Sequence, residues 1–85
     1  MQVNDTILLD DNQKYTLLQE TVYKNEKYYL AIGLDENENP NYKNMLIFKE
    51  CEDVDGIYVE TVANESLIIK LTRIFEKKLN EEENK

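Results

Sequence analysis

The constraint that most narrows the fold is a change of hydrophobic period at Asn64. Before it, apolar residues recur in short runs with a period near two, broken by turn residues. After it, Leu67, Ile68, Leu71, Ile74, Phe75 and Leu79 fall on one broad stripe at 100° per residue, opposite Lys70, Arg73, Glu76 and Lys77. Asn64 is a good N-cap, Glu65 suits the positive end of the helix dipole, and no Gly or Pro occurs from there to Leu79. A helix is therefore predicted from Glu65 to about Leu79. Its apolar stripe requires a sheet face to cover, so the expected class is α+β.

The runs before Asn64 read as four or five antiparallel strands in up-and-down order. Thr6 to Leu9 ends at the turn-forming triplet Asp10-Asp11-Asn12. Lys14 to Tyr23 changes parity between Leu17 and Leu18, which predicts a bend, a bulge or a strand buried on two faces. Asn25-Glu26 is the expected two-residue turn into Lys27 to Leu34, where Tyr28, Leu30, Ile32 and Leu34 alternate with Tyr29, Ala31 and Gly33. The small residues at 31 and 33 leave room for close packing. Asp35 to Asn41 is polar throughout and reads as an exposed loop, after which the chain returns as Met45 to Glu50. It then turns at Asp53-Val54-Asp55-Gly56 and runs out as Ile57 to Val62.

With 85 residues, 41% of them apolar, the chain builds one small domain over residues 1–80. Residues 81–85 are expected to fray as a disordered acidic tail. One helix covers one face of a sheet, so the other face is expected to be exposed in a monomer, and a weak homodimer would use an open sheet edge or that outer face.

Charge excludes whole classes of partner. Eighteen acidic side chains against ten basic give a net charge of −8, which repels nucleic acid and anionic membrane. Residues 1–63 carry 13 acids and 5 bases, and residues 64–85 carry five of each, so the whole excess belongs to the sheet and its loops. It reads either as a solubilising surface or as one that steers a basic protein partner. Ile69 lies roughly 150° from the centre of the helix stripe. It is either an ordinary exposed apolar residue or part of a contact patch. Asp35, Glu36, Glu38 and Ile69 are accordingly the candidate partner surface.

The residue types leave little room for catalysis. Without His there is no triad, no imidazole base and no zinc site of the usual ligands. Cys51 stands among Glu50, Glu52 and Asp53, which hold it as a thiol. A single Cys forms no internal disulfide. Carboxylate pairs such as Glu36 with Glu38 and Asp53 with Asp55 sit in polar turns, whereas acid–base catalysis requires one carboxyl in an apolar cleft. Asp35-x-Asn37-x-Asn39 matches the start of a calcium loop, but Pro40 and Leu46 occupy the positions that need Gly and Glu. No enzyme, cofactor or metal is expected. The six Tyr would suit base stacking, yet the acidic surface opposes it. Met1 to Asp5 has no signal-peptide character, and no apolar run approaches the ~20 residues of a membrane span, so a cytoplasmic protein is expected.

The order of these parts resembles a known family. Tyr15-Thr16-Leu17-Leu18-Gln19-Glu20-Thr21-Val22-Tyr23 leads through Asn25 into Glu26-Lys27-Tyr28-Tyr29-Leu30-Ala31-Ile32. An acidic loop, Met45-Leu46-Ile47-Phe48-Lys49, an acidic turn with Gly56, Ile57-Tyr58-Val59-Glu60-Thr61-Val62 and an amphipathic helix come after it. Over roughly residues 5 to 80 this is similar to the YrzB-like family of small acidic bacterial domains, with Asn25 where a Gly is usual. The resemblance implies no activity and supplies no functional residues. The sequence thus points to a non-enzymatic interaction or regulatory module. The alternative is an acidic mimic of nucleic acid that occupies a basic protein surface.

Overall fold

A computed structural model describes residues 1–9 and 11–83, with the side chains of 81–83 outside the description. Five strands and one helix occur in order: β1 (Thr6–Leu8), β2 (Lys14–Tyr23), β3 (Glu26–Leu34), β4 (Pro40–Asp53), β5 (Gly56–Thr61) and α1 (Glu65–Glu83). The strands form one antiparallel sheet in the order β1-β2-β3-β4-β5, a meander curled into a half-barrel. The expected α+β architecture is the one observed, with five strands.

The parity change in β2 is a bulge. Leu17 pairs with Ala31 and Gln19 with Leu30, so Leu18 is the extra residue. Before it, Tyr15 and Leu17 point to the concave side of the sheet. After it, Gln19 and Thr21 point to the convex side with Tyr28 and Leu30. A second irregularity separates Ile32↔Met45 from Gly33↔Asn41 and leaves Tyr42, Lys43 and Asn44 without partners on β3. Bulges bend and twist a sheet, and these two lie where the curl requires it.

Two cores result, one on each face. On the convex side, Leu71 and Phe75 of α1 pack with Tyr28 and Ile47, flanked by Leu30, Val62, Leu67, Ile68 and Ile74. On the concave side, Tyr15, Leu17, Tyr29, Ala31 and Phe48 form a second cluster, joined by Ile7 and Leu9 from one end of the sheet and Val59 from the other. The Tyr15 and Phe48 rings meet edge to face, 5.3 Å between centroids. The expectation of an open second face is therefore corrected. The sheet covers that face itself by curling, and Tyr29 and Phe48 are fully buried there.

Three boundaries also differ from expectation. The β2–β3 turn is Lys24-Asn25, not Asn25-Glu26: both have positive φ (51° and 66°), and Tyr23 pairs with Glu26. The register places the residue that best tolerates a left-handed backbone second in the turn. β4 begins at Pro40 instead of Met45, because Pro40 and Asn41 pair with Leu34 and Gly33 before the chain bulges out. Proline is tolerated there at the first position of a strand. The helix continues past Leu79 to Glu83, since no helix breaker intervenes. The rest of the tail expectation, including Asn84 and Lys85, lies outside the described residues, as does Asp10.

Local chemistry fixes the remaining joints. Asn64 caps α1, its Oδ1 accepting from Leu67 N at 3.0 Å and its carbonyl from Ile68 N at 2.9 Å. At the β4–β5 turn, Asp53 Oδ1 accepts from Asp55 N at 2.8 Å, and Gly56 supplies the positive φ of 125°. The helix, 19 residues long, is not apolar enough to cross a membrane.

Candidate functional site

The candidate loop does local work first. Asp35 Oδ1 accepts from the backbone N–H groups of Asn37 and Asn39, both at 2.9 Å. Glu38 stands at φ 62° with its carboxylate 2.6 Å from Lys14 Nζ, and that ammonium holds the Glu38 carboxyl below its usual range. Glu36 alone of the three has no hydrogen-bond or ion-pair partner among the described residues. The cleft beside this loop is lined by Asn12, Gln13, Lys14 and Leu34, with nothing from α1. Ile69 is 54% exposed on the helix, as its angle required, and the structure does not bring it to the loop in that cleft.

A denser acidic surface forms on the β4–β5 hairpin. Glu50 and Glu52 lie on the concave side, Asp53 and Glu60 on the convex side, and Asp55 at the tip. None of the five is in an ion pair among the described residues; the three pairs present use Glu20, Glu26 and Glu38. Glu50 Oε1 accepts from the buried Tyr29 hydroxyl at 3.3 Å, and the same hydroxyl lies 3.0 Å from the Met1 carbonyl. Burial pushes the Tyr29 phenol up, against the opposing effect of Lys27. Lys27 Nζ sits 5.3 Å from the Tyr29 ring centroid and 3.2 Å from Glu20, and its pKa is raised by Tyr29 first and Glu20 second.

Cys51 is half-buried on β4. Burial first, and the Glu60 carboxylate second, push its thiol above the ordinary value. The described residues contain no group of three or more Cys, Asp or Glu arranged to hold a metal. An apolar groove of about 320 Å³ runs beside α1 between Met45, Val62, Ile68 and Leu79, and Glu76 is its one charged lining residue. The Thr72 hydroxyl and the Glu76 carboxylate are the polar side chains of that lining.

Sequence reasoning placed acids at Glu50 to Asp55 but did not foresee the apolar side chains beside them. Val54 is fully exposed, Ile57 56% and Tyr58 42%, while Leu8 on the far edge strand is 60% exposed. A signal was present for Leu8 and Tyr58. Ile7-Leu8-Leu9 and Ile57-Tyr58-Val59 are consecutive apolar triplets, and alternation forces the middle residue of a strand triplet to the opposite face. The chain matches no protein-family model, no curated protein and no solved structure.

Proposed function

We propose that this protein is a non-enzymatic docking module of the cytoplasm that binds a basic protein partner through the acidic half of its sheet. The observation that supports this reading is the β4–β5 hairpin, whose five carboxylates lack ion-pair partners among the described residues and lie beside exposed Val54, Ile57 and Tyr58. Unpaired acids raise the rate and selectivity of encounter with a basic surface, while neighbouring apolar side chains supply the contact. Glu36, on the loop at the other end of β4, and Ile69 on α1 are separate contact points in the same proposal. Asp35 and Glu38 contribute mainly by shaping the loop that presents Glu36. Membership of the YrzB-like family belongs to the same proposal and rests on strand order and the β2–β3 hairpin.

Affinity capture from host lysate at low and moderate salt tests the reading, using the wild-type chain beside a variant carrying Glu50→Gln, Glu52→Gln, Asp53→Asn, Asp55→Asn and Glu60→Gln. The expected result is a basic protein held at low salt, released at moderate salt, and lost to the neutralised variant. Retention of the same proteins by both chains would overturn it. Adding nucleic acid as competitor separates the mimic reading, in which DNA or RNA displaces the protein from its partner.

A further inference from the structure

We infer that the cleft between β1 and β5 receives an extended basic peptide, which adds as a sixth strand and closes the half-barrel. This rests on the docking function proposed for the acidic hairpin and specifies its partner. The first support is topological. Every neighbouring pair in the five-stranded meander is antiparallel, so the two edge strands run in the same direction. A single inserted strand can therefore be antiparallel to both.

The second support is unpaired main chain on both rims. Val62 N donates to Ile47 O at 2.9 Å, which makes that opposed pair a hydrogen-bonded one. Alternation then turns Glu60, Tyr58 and Gly56 towards β4 and leaves the main-chain groups of Thr61, Val59 and Ile57 facing outward. On the other rim, Leu17 N bonds Asp5 O and Leu9 N bonds Gln13 O. The same alternation leaves Thr6 and Leu8 outward. Thr6 and Leu8 face the cleft from one side, and Ile57, Val59 and Thr61 from the other.

The third support is the cleft itself, a gap of about 690 Å³ lined by Ile7, Leu8 and Leu9 on one side and Ile57, Tyr58 and Val59 on the other, with Met1 at its concave side. Edge strands are normally kept very short or lined with charged side chains. β1 is short, at three residues, but exposed Leu8, Ile57 and Tyr58 stand beside the free edges. Alternate side chains of an added strand would meet Ile7 and Val59 on the concave side.

Charge decides between occupants. Among the described lining residues the charges are the Asp11 carboxylate and the amino group of Met1, and Glu52, Asp53, Asp55 and Glu60 on the adjoining hairpin make the surroundings acidic. A second copy paired through β5 would set two acidic edges side by side, which is unfavourable. A peptide alternating cationic and apolar residues matches both the charge and the pleat, and main-chain bonds with alternate side-chain contacts are the usual mode of strand addition. The outward groups at 57, 59 and 61 define a site of about five to seven residues.

The test titrates the full chain at low salt with a blocked heptapeptide alternating lysine and valine, followed by amide NMR. A second peptide of equal charge has proline in place of each valine and cannot pair as a strand. The expected result is binding of the first peptide with shifts at Ile57, Val59, Thr61 and Leu8, at least about tenfold weaker binding of the second, and a similar loss in Val59→Pro. If Val59→Pro does not fold, Ile57→Lys adds a cation to the edge without altering its main chain and is expected to weaken binding similarly. Equal binding of both peptides overturns strand addition while leaving charge-based docking standing. Binding of neither overturns both. Concentration-dependent dimerisation that perturbs the same β5 amides without peptide assigns the edge to a second copy and overturns the inference.

Discussion

The side chain of Asn44 lies directly over Gly33. A Cβ built on Gly33 would stand 2.8 Å from Asn44 Cγ, closer than such atoms come, and 3.2 Å from Asn44 Cβ. Asn44 reaches that place because residues 42–44 bulge from the β3–β4 ladder, and its Oδ1 accepts from the Tyr15 hydroxyl at 3.3 Å. The absent side chain at position 33 thus ties the bulge in β4 to the concave core.

Gly33→Ala is expected to destabilise the fold by about 1–3 kcal/mol, the usual effect of overpacking a filled site. Asn44→Ala on that background should recover part of the loss, because the methyl then has space. Urea melts of the two single variants and the double variant measure the coupling. Additive effects would show that the two positions do not meet.

Gln19 is 7% exposed, and its Oε1 is buried without a hydrogen-bond partner among the described residues. The bulge at Leu18 turns it towards the convex core beside Leu30. An unsatisfied buried acceptor is unfavourable by about 1–3 kcal/mol. Gln19→Met keeps the volume and removes the polar atoms. It is expected to stabilise by about 1 kcal/mol, a Tm rise of roughly 4–8 °C for a domain of this size. An unchanged or lower Tm would show that the amide is satisfied in solution.

Lys14 holds the Glu38 carboxyl below its usual range. A carboxylate whose folded-state pKa is lowered contributes stability above its unfolded pKa, and that contribution is lost as pH falls through the folded value. Lys14→Met should therefore return Glu38 upward to the ordinary carboxylate range in a side-chain NMR titration. It should also flatten the fall in stability on the acid side of that range. Because both partners are exposed, the change in stability at neutral pH is expected to be small.

Cys51 should be a slow nucleophile. Burial, then Glu60, raise its pKa, so alkylation by iodoacetamide at pH 8 is expected to lag behind that of the denatured chain. Glu60→Gln should accelerate it by about two- to threefold, less than denaturation does, since burial is the larger cause. A rate equal to that of the denatured chain would show that neither cause operates.

Much of the architecture could be read from local pattern because local chemistry fixes it. Asn64 caps a helix wherever an amphipathic run comes after it, and Gly56 takes a positive φ because a tight turn needs one. An irregularity after Leu17 was legible and occurs, but the inward turn of Leu18 and Val22 behind that reading does not: both are exposed, and Gln19 and Thr21 are buried instead. The acidic loop was legible too, but not the use of its carboxylates. That Asp35 binds its own backbone and Glu38 binds Lys14 depends on a close approach of the 12–14 turn to the 35–39 loop, which alternation does not encode.

By itself, the sequence determined the order of the elements, the apolar stripe of the helix, the excess of acid in the sheet, and the missing chemistry of His. Curvature was decided only in the tertiary structure. The two bulges curl the sheet until Ile7 and Leu9 near one edge share a core with Val59 near the other. Period-two patterning gives each side chain a face but says nothing of whether that face meets solvent, a partner or the rest of the same sheet. The same curl places two free edges, with exposed Leu8 and Ile57, across one cleft. Strand curvature sums small twists over many residues, so it is a property of the assembled sheet and of no single segment.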